Sequence, residues 1–278
     1  MKKTFSQKKS AFSLIELSIV LIIIGLLIAG VTGGASLIKS SELRSIMGEA
    51  RAYATSINGF YTQFNYLPGD YAVAIGASCV GDADGKIEFN TACVTGAGGE
   101  GSNAWAQMLN AKVIDTNVIL AAGGTPQVDS AAISTFGTYA PASKVKASGW
   151  ALDYRLSGTA STAFANEAAA SAQNVIVLTG AIAAGTAGTN NLLGNTTAGK
   201  SSVAIMATDA LSIDAKIDDS NAGTGKVRGV SPTVVAIATA ADASGATNCY
   251  YYADSAFTYN TTDTVKSCGL SYQVDVNS

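Results

Sequence analysis

Histidine is absent from the 278 residues, which removes Ser-His and Cys-His nucleophilic pairs and every histidine-containing metal centre. The chain is therefore read as a non-enzyme. Charge is also scarce: 13% of residues are charged and the formal balance is -3, without the polybasic footprint of a nucleic-acid binder. Lys144 with Lys146 and Lys226 with Arg228 are only pairs, so no nucleic-acid partner is expected. Proline is limited to 4 residues, the first of them Pro68. Cysteine is limited to 4 as well.

Apolar residues are abundant, at 48%, and they concentrate near the start. The opening Met1 to Ala11 is basic, and an uncharged run from Leu17 to Ile38 follows. About 20 apolar residues suffice to cross a bilayer as a helix. Lys2, Lys3, Lys8 and Lys9 place the N-terminus on the cytoplasmic side, so the chain after Lys39 is exported. A cleaved secretory signal shares the basic start, but the run is longer than a signal core and lacks a small-residue cleavage site. Four of the 17 basic residues lie in that tip, so the exported body is more acidic than the whole. Glu16 stands at the edge of the apolar segment, where a carboxylate needs a partner or a purpose.

Beyond the membrane the helical pattern continues. Leu43, Ile46, Met47, Ala50, Ala54, Ile57, Phe60, Tyr61 and Phe64 recur at three- and four-residue spacing, the signature of one buried face. Glu42, Arg44, Glu49 and Arg51 fall on the other side, and Pro68 ends the helix. The result is one rod over 12–65, roughly 80 Å long at 1.5 Å per residue. Only its second half can pack on a globular body, so the apolar first half must be covered by lipid or by other copies. Thr32-Gly33-Gly34 is a place where the helix can unwind locally.

After Gly69 the chain becomes rich in Gly, Ala, Ser and Thr. Trp150, Leu152, Tyr154 and Leu156 alternate with Ala151, Asp153 and Arg155, and 268–276 alternate likewise, as half-buried strands do. Further strands are expected at 173–179, 202–207 and 233–238, and short helices at 103–111 and 208–217. The stretch 160–199 reads as a surface insertion. The fold class is α+β, a long N-terminal helix packed on an antiparallel sheet domain. Its divisions are a leader over 1–11, the helix over 12–66 with its membrane half at 12–38, and an exported body over 67–278.

The run Ala11-Phe12-Ser13-Leu14-Ile15-Glu16-Leu17 resembles the processing motif of type IV prepilins and type II secretion pseudopilins. Gly25 matches a glycine common in that family's helix, whereas Ala11 stands where the family usually has Gly. The resemblance implies a cut between Ala11 and Phe12 by a prepilin peptidase that also methylates the new amine of Phe12. It implies Glu16 as the assembly residue. A cationic amine on one helix and Glu16 on a staggered neighbour can form a register device, because a buried pair gains specificity more surely than stability. The implied partners are copies of the chain and other pilin-like subunits, the inner-membrane assembly platform and membrane lipid. The precursor would be a single-pass inner-membrane protein, and the product a periplasmic or cell-surface filament.

Four cysteines in an exported chain suggest two disulfides out of three connectivities. Local pairing joins Cys79 to Cys93 and Cys249 to Cys268, the second pair resembling the C-terminal disulfide loop of many pilins. Within Gly81 to Glu88, the carboxylates Asp82, Asp84 and Glu88 offer oxygen ligands to Ca²⁺, against the plainer reading of a solvated Asp/Gly turn. Asp214, Asp218 and Asp219 form a second acidic loop. The readings weighed against a filament subunit are a minor or tip subunit with an adhesive or DNA-uptake role, and a membrane-anchored hydrolase using Asp82 and Asp84.

Overall fold

The computed structural model describes residues 13–75, 80–89, 99–114, 136–137, 140–155, 173–182, 202–231, 248–253 and 256–274. Ala11, Phe12, Cys79, Cys93 and the strand expected over 233–238 lie outside them. The chain divides into two compact units, Met1–Arg44 and Ser45–Ser278. Helix α1 covers Leu14–Phe64 without a break. At the glycine pair the helix does not unwind: the Thr32 hydroxyl folds back on the Ile28 and Ala29 carbonyls at 3.0 and 3.2 Å. The end of α1 is set three residues before Pro68, where Asn65 adopts φ 58° and donates its N–H to the Tyr61 carbonyl at 2.7 Å.

In the first unit, the large apolar side chains from Leu14 to Ile38 are exposed. The 18-residue window that qualifies as a membrane span by hydropathy has 0% of its residues buried, the composition of a surface facing lipid or like helices.

In the second unit, Ile46, Ala50, Ile57 and Phe60 of α1 are buried, as their spacing predicts. Helices α2, Glu100–Asn110, and α3, Ala207–Ile217, lie within about three residues of their expected bounds. The sheet is antiparallel. Its strands are β1 (Gly149–Arg155), β2 (Gln173–Thr179), β3 (Ile205–Met206), β4 (Val227–Val230) and, after a separate hairpin of β5 (Tyr250–Ala253) and β6 (Ala256–Tyr259), β7 (Lys266–Gln273). The order is β1-β2-β7-β3, with β4 also pairing β7. Because β2 and β4 both pair the segment Leu270 to Tyr272, β7 is central.

Strand alternation sorts the side chains onto two faces. Trp150, Leu152, Ile176, Leu178, Leu270 and Tyr272 share the face that meets α1, where the Tyr53 ring packs edge-on against Trp150 at 5.9 Å and Trp105 at 5.1 Å. The other face carries Ala151, Val175, Val177 and Val230 and is covered by Phe89 and Ile182. The half-buried expectation for β1 is thus corrected: both faces are covered, and Asp153, expected outward, is buried. Its Oδ1 accepts the backbone N–H groups of Phe89 at 3.1 Å and Tyr154 at 2.9 Å, which makes a buried carboxylate tolerable.

Candidate functional site

Two sites bear on function, the start of α1 and the acidic loop. At the first, Ser13 is the residue before the helix and Glu16 is in its first turn. The Ser13 N–H donates to Glu16 Oε2 at 2.8 Å, and Ile15 N–H donates to Ser13 Oγ at 3.4 Å. This is a capping box, in which a Ser and a Glu three residues apart satisfy orphan amides of the first turn reciprocally. The sequence pattern Ser13-x-x-Glu16 announced it, but the membrane context drew attention to charge alone. Glu16 therefore has a local duty in the single chain.

At the second site, the loop over 80–89 runs between the end of α1 and the start of α2 without strand pairing for most of its length. Side chains take nearly every amide. Asp82 and Glu88 donate to Glu100 Oε1 and Oε2 at 3.3 and 3.2 Å, while Asp84 and Gly85 donate to Asp70 Oδ1 and Oδ2, both at 2.9 Å. Ile87 donates to Asn174 Oδ1 at 2.8 Å. The segments approach so closely that two glycines are obligatory. A Cβ on Gly81 would lie 2.4 Å from the Asp70 backbone, and one on Gly69, at φ +93°, would lie 2.6 Å from the Glu100 carbonyl oxygen.

The expected cation set is redrawn by this geometry. Asp82 comes together with Asp70 and Glu100, one oxygen of each lying within 4.8 Å of the others. Asp84 is instead ion-paired with Lys86, and Glu88 contributes its amide to Glu100. Asp70 and Glu100 were missed because neither lies in the acidic loop; the fold brings them from the α1 exit and the α2 start. Glu100 is 0% exposed and Asp70 1%. Burial pushes the Glu100 carboxyl up to about 8, against the N–H bonds from Glu88 and Asp82, and the Asp82 and Asp70 charges add to the rise. Burial likewise pushes Asp70 up to about 6, opposed by the Gly85 and Asp84 amides. Three carboxylates so placed suit one hard divalent cation, although the amides already satisfy the two buried ones.

The second acidic loop is a knot of turns. Asp214 Oδ2 accepts the Tyr259 hydroxyl at 2.9 Å, and its Oδ1 accepts Ser220 N–H at 3.2 Å. Asp218 accepts the amides of Lys226 and Val227, and Asp219 accepts that of Asn221. Nearby, Cys249 and Cys268 form the expected disulfide and join the β5 hairpin to β7. The pairing expected for Cys79 and Cys93 falls outside the described residues.

No curated protein and no solved structure matches the chain. One family model does, the prokaryotic N-terminal methylation motif, over residues 6–32. That span contains the second half of the leader with Lys8 and Lys9, the capping box and the start of the exposed apolar helix, and it identifies the chain as carrying the signature of type IV pilins and pseudopilins.

Proposed function

We propose that the chain is a structural subunit of an extracytoplasmic filament, a type IV pilus or a type II secretion pseudopilus, assembled through the first half of α1. The observation that supports this most is the conjunction of the methylation motif over residues 6–32 with an apolar helix whose large side chains are exposed from Leu14 to Ile38. In the precursor those side chains face lipid. In a filament they face the same segment of neighbouring copies, and van der Waals packing among them replaces contact with acyl chains. Removal of the leader between Ala11 and Phe12 is the switch, since it deletes four lysines that hold the N-terminus in the cytoplasm and leaves a methylated amine on Phe12. The Glu16 carboxylate of an adjacent, axially shifted helix then compensates that amine. Partners under this reading are further copies or related subunits, the peptidase that cuts the leader, and the assembly machinery of the inner membrane.

Intact-mass analysis of the exported protein tests the processing step. A chain beginning at Phe12 and heavier by one methyl group is expected. A chain that retains Met1, or one that begins beyond Lys39, refutes it.

A further inference from the structure

Within the second unit, opposite charges gather at opposite ends. Strand β1 runs in the same sense as α1. Its first residues lie at Glu49, which accepts Trp150 Nε1–H, and its far end lies toward Tyr61 and Asn65, which share a cavity wall with Asn174, the cross-strand partner of Tyr154. Strand β7 is parallel to β1, since both are antiparallel to β2. The segment before β1 and the start of β7 therefore stand together at the end where the chain enters the unit, at Ser45. Lys266 Nζ donates to the Lys146 carbonyl at 3.1 Å and joins the two directly. Lys144, Lys146 and Lys266 are exposed there, and none of them is ion-paired among the described residues. The Lys266 ammonium uses one of its three N–H donors on a neutral carbonyl, which leaves its charge uncompensated. Glu49, the carboxylate on which this segment packs, is engaged by Trp150, Ser143 and the Lys144 amide. Val265, beside Lys266, is 48% exposed. At the opposite end, the exposed Asp84 of the acidic loop lines the same cavity as Tyr61 and Asn65. The acidic turns over 214–219 lie on the β4 side, where Asp218 accepts the Lys226 and Val227 amides.

We propose that Lys144, Lys146 and Lys266 form a basic foot that rests on the anionic phospholipid headgroups of the membrane the precursor spans. The inference rests on the membrane-inserted precursor reading above and says how the exported body is held before assembly. Reach identifies lipid as the partner. The uncharged run ends at Ile38 and the unit begins at Ser45. A tether of that length extends at most about 25 Å, and about 10 Å where it is helical. The foot is thus kept at high effective concentration against the bilayer whatever angle the tether takes. Each lysine that reaches an anionic surface strengthens the contact about fivefold. Charge points the same way: the body carries more acidic than basic residues, so an anionic surface repels the acidic-loop end and attracts this one, and the field orients the body as well as holding it. Val265 suits the headgroup boundary, where an apolar side chain beside basic ones meets the acyl chains.

The full-length chain in bilayer nanodiscs loaded with one copy tests this, with phosphatidylcholine alone compared with an equal mixture of phosphatidylcholine and phosphatidylglycerol. Acylation of each lysine by a water-soluble ester, read by mass spectrometry, is expected to slow several-fold at Lys144, Lys146 and Lys266 in the anionic discs. Lys112 and Lys216, exposed elsewhere on the body, should react equally in both, and high salt should restore the rate at the foot. Energy transfer from the tryptophans to a dansyl-labelled lipid should rise with phosphatidylglycerol in the parent and in Lys144→Arg/Lys146→Arg/Lys266→Arg, and not in Lys144→Gln/Lys146→Gln/Lys266→Gln. Both triple variants should keep the parent's melting temperature, because the three side chains are exposed. Equal labelling of the foot in the two discs overturns the proposal, as does lipid-dependent transfer that survives in the Gln variant. Slowing that needs several copies per disc and ignores the lipid assigns the foot to a second copy and overturns it too. A chain that does not enter the discs overturns the precursor reading itself, whereas an inserted chain with an unprotected foot leaves that reading standing.

Discussion

Replacing Glu49 should loosen the attachment of α1 to the sheet within the second unit. Its Oε2 accepts Trp150 Nε1–H at 2.7 Å and the Ser143 hydroxyl at 2.8 Å, and its Oε1 accepts Lys144 N–H at 3.0 Å. Hydrogen bonds to a charged acceptor contribute about 1.5–3 kcal/mol each, but the three are not equivalent. Lys144 is exposed and Ser143 half-buried, so water replaces much of what they lose. Trp150 is 0% exposed, and its indole N–H would keep the full desolvation penalty. For Glu49→Ala this gives a loss of about 2–4 kcal/mol, concentrated in the Trp150 bond. In a unit of this size that corresponds to a fall in melting temperature of roughly 5–15 °C. Glu49→Gln retains one oxygen for Trp150 and Ser143 and turns an amide donor toward Lys144 N–H, so its loss should be about 1 kcal/mol. Denaturant unfolding followed by tryptophan emission suits the question, because both tryptophans are buried and one is the donor. A Glu49→Ala variant within 0.5 kcal/mol of the parent would refute the assignment and leave α1 held by its apolar face alone.

Glu16→Gln should preserve the capping box, which accepts Gln in place of Glu, yet stop filament formation as completely as Glu16→Ala; electron microscopy of sheared filaments with normal amounts from the Gln variant would show that the charge is dispensable. Asp214, pushed up to about 6 by burial despite the bonds from Tyr259 and Ser220, binds a proton more tightly folded than unfolded. Its contribution is therefore full below the ordinary aspartate pKa and lost as pH rises through 6, so Asp214→Asn should flatten the stability profile between about pH 4 and 6, and an unchanged slope in melting experiments would contradict this. Ca²⁺ added to chelator-treated protein should raise the melting temperature by linkage through Asp70, Asp82 and Glu100, with Asp70→Asn removing the rise. No rise in the parent would leave those carboxylates as amide acceptors only.

The N-terminal part of the molecule was legible because its physics is local. Membrane length, the basic tip and the Phe12-to-Glu16 spacing are properties of contiguous residues, and an apolar helix needs no distant partner to satisfy its backbone. Helix α1, helix α3 and strand β2 were found close to their limits for the same reason, through repeats of three to four residues or a compact apolar run bounded by polar segments. The pairing of Cys249 with Cys268 was expected as a local pairing that also resembles the C-terminal disulfide loop of many pilins, and the fold agrees.

Tertiary structure decided what depends on segments far apart in the chain. Glu49 has the spacing of a solvent-facing helical residue, and only the arrival of the 143–150 segment turns its carboxylate into an acceptor. Asp153 obeys strand alternation, but its face is covered by the loop ending at Phe89. Strand β4 is four residues long, too short to carry a period, and exists because β7 has a second edge to pair. The acidic loop shows the division most clearly. Sequence proximity grouped Asp82 with Asp84 and Glu88, whereas the fold groups Asp82 with Asp70 and Glu100, because the loop has no strand partner and its amides must find acceptors on the elements around it.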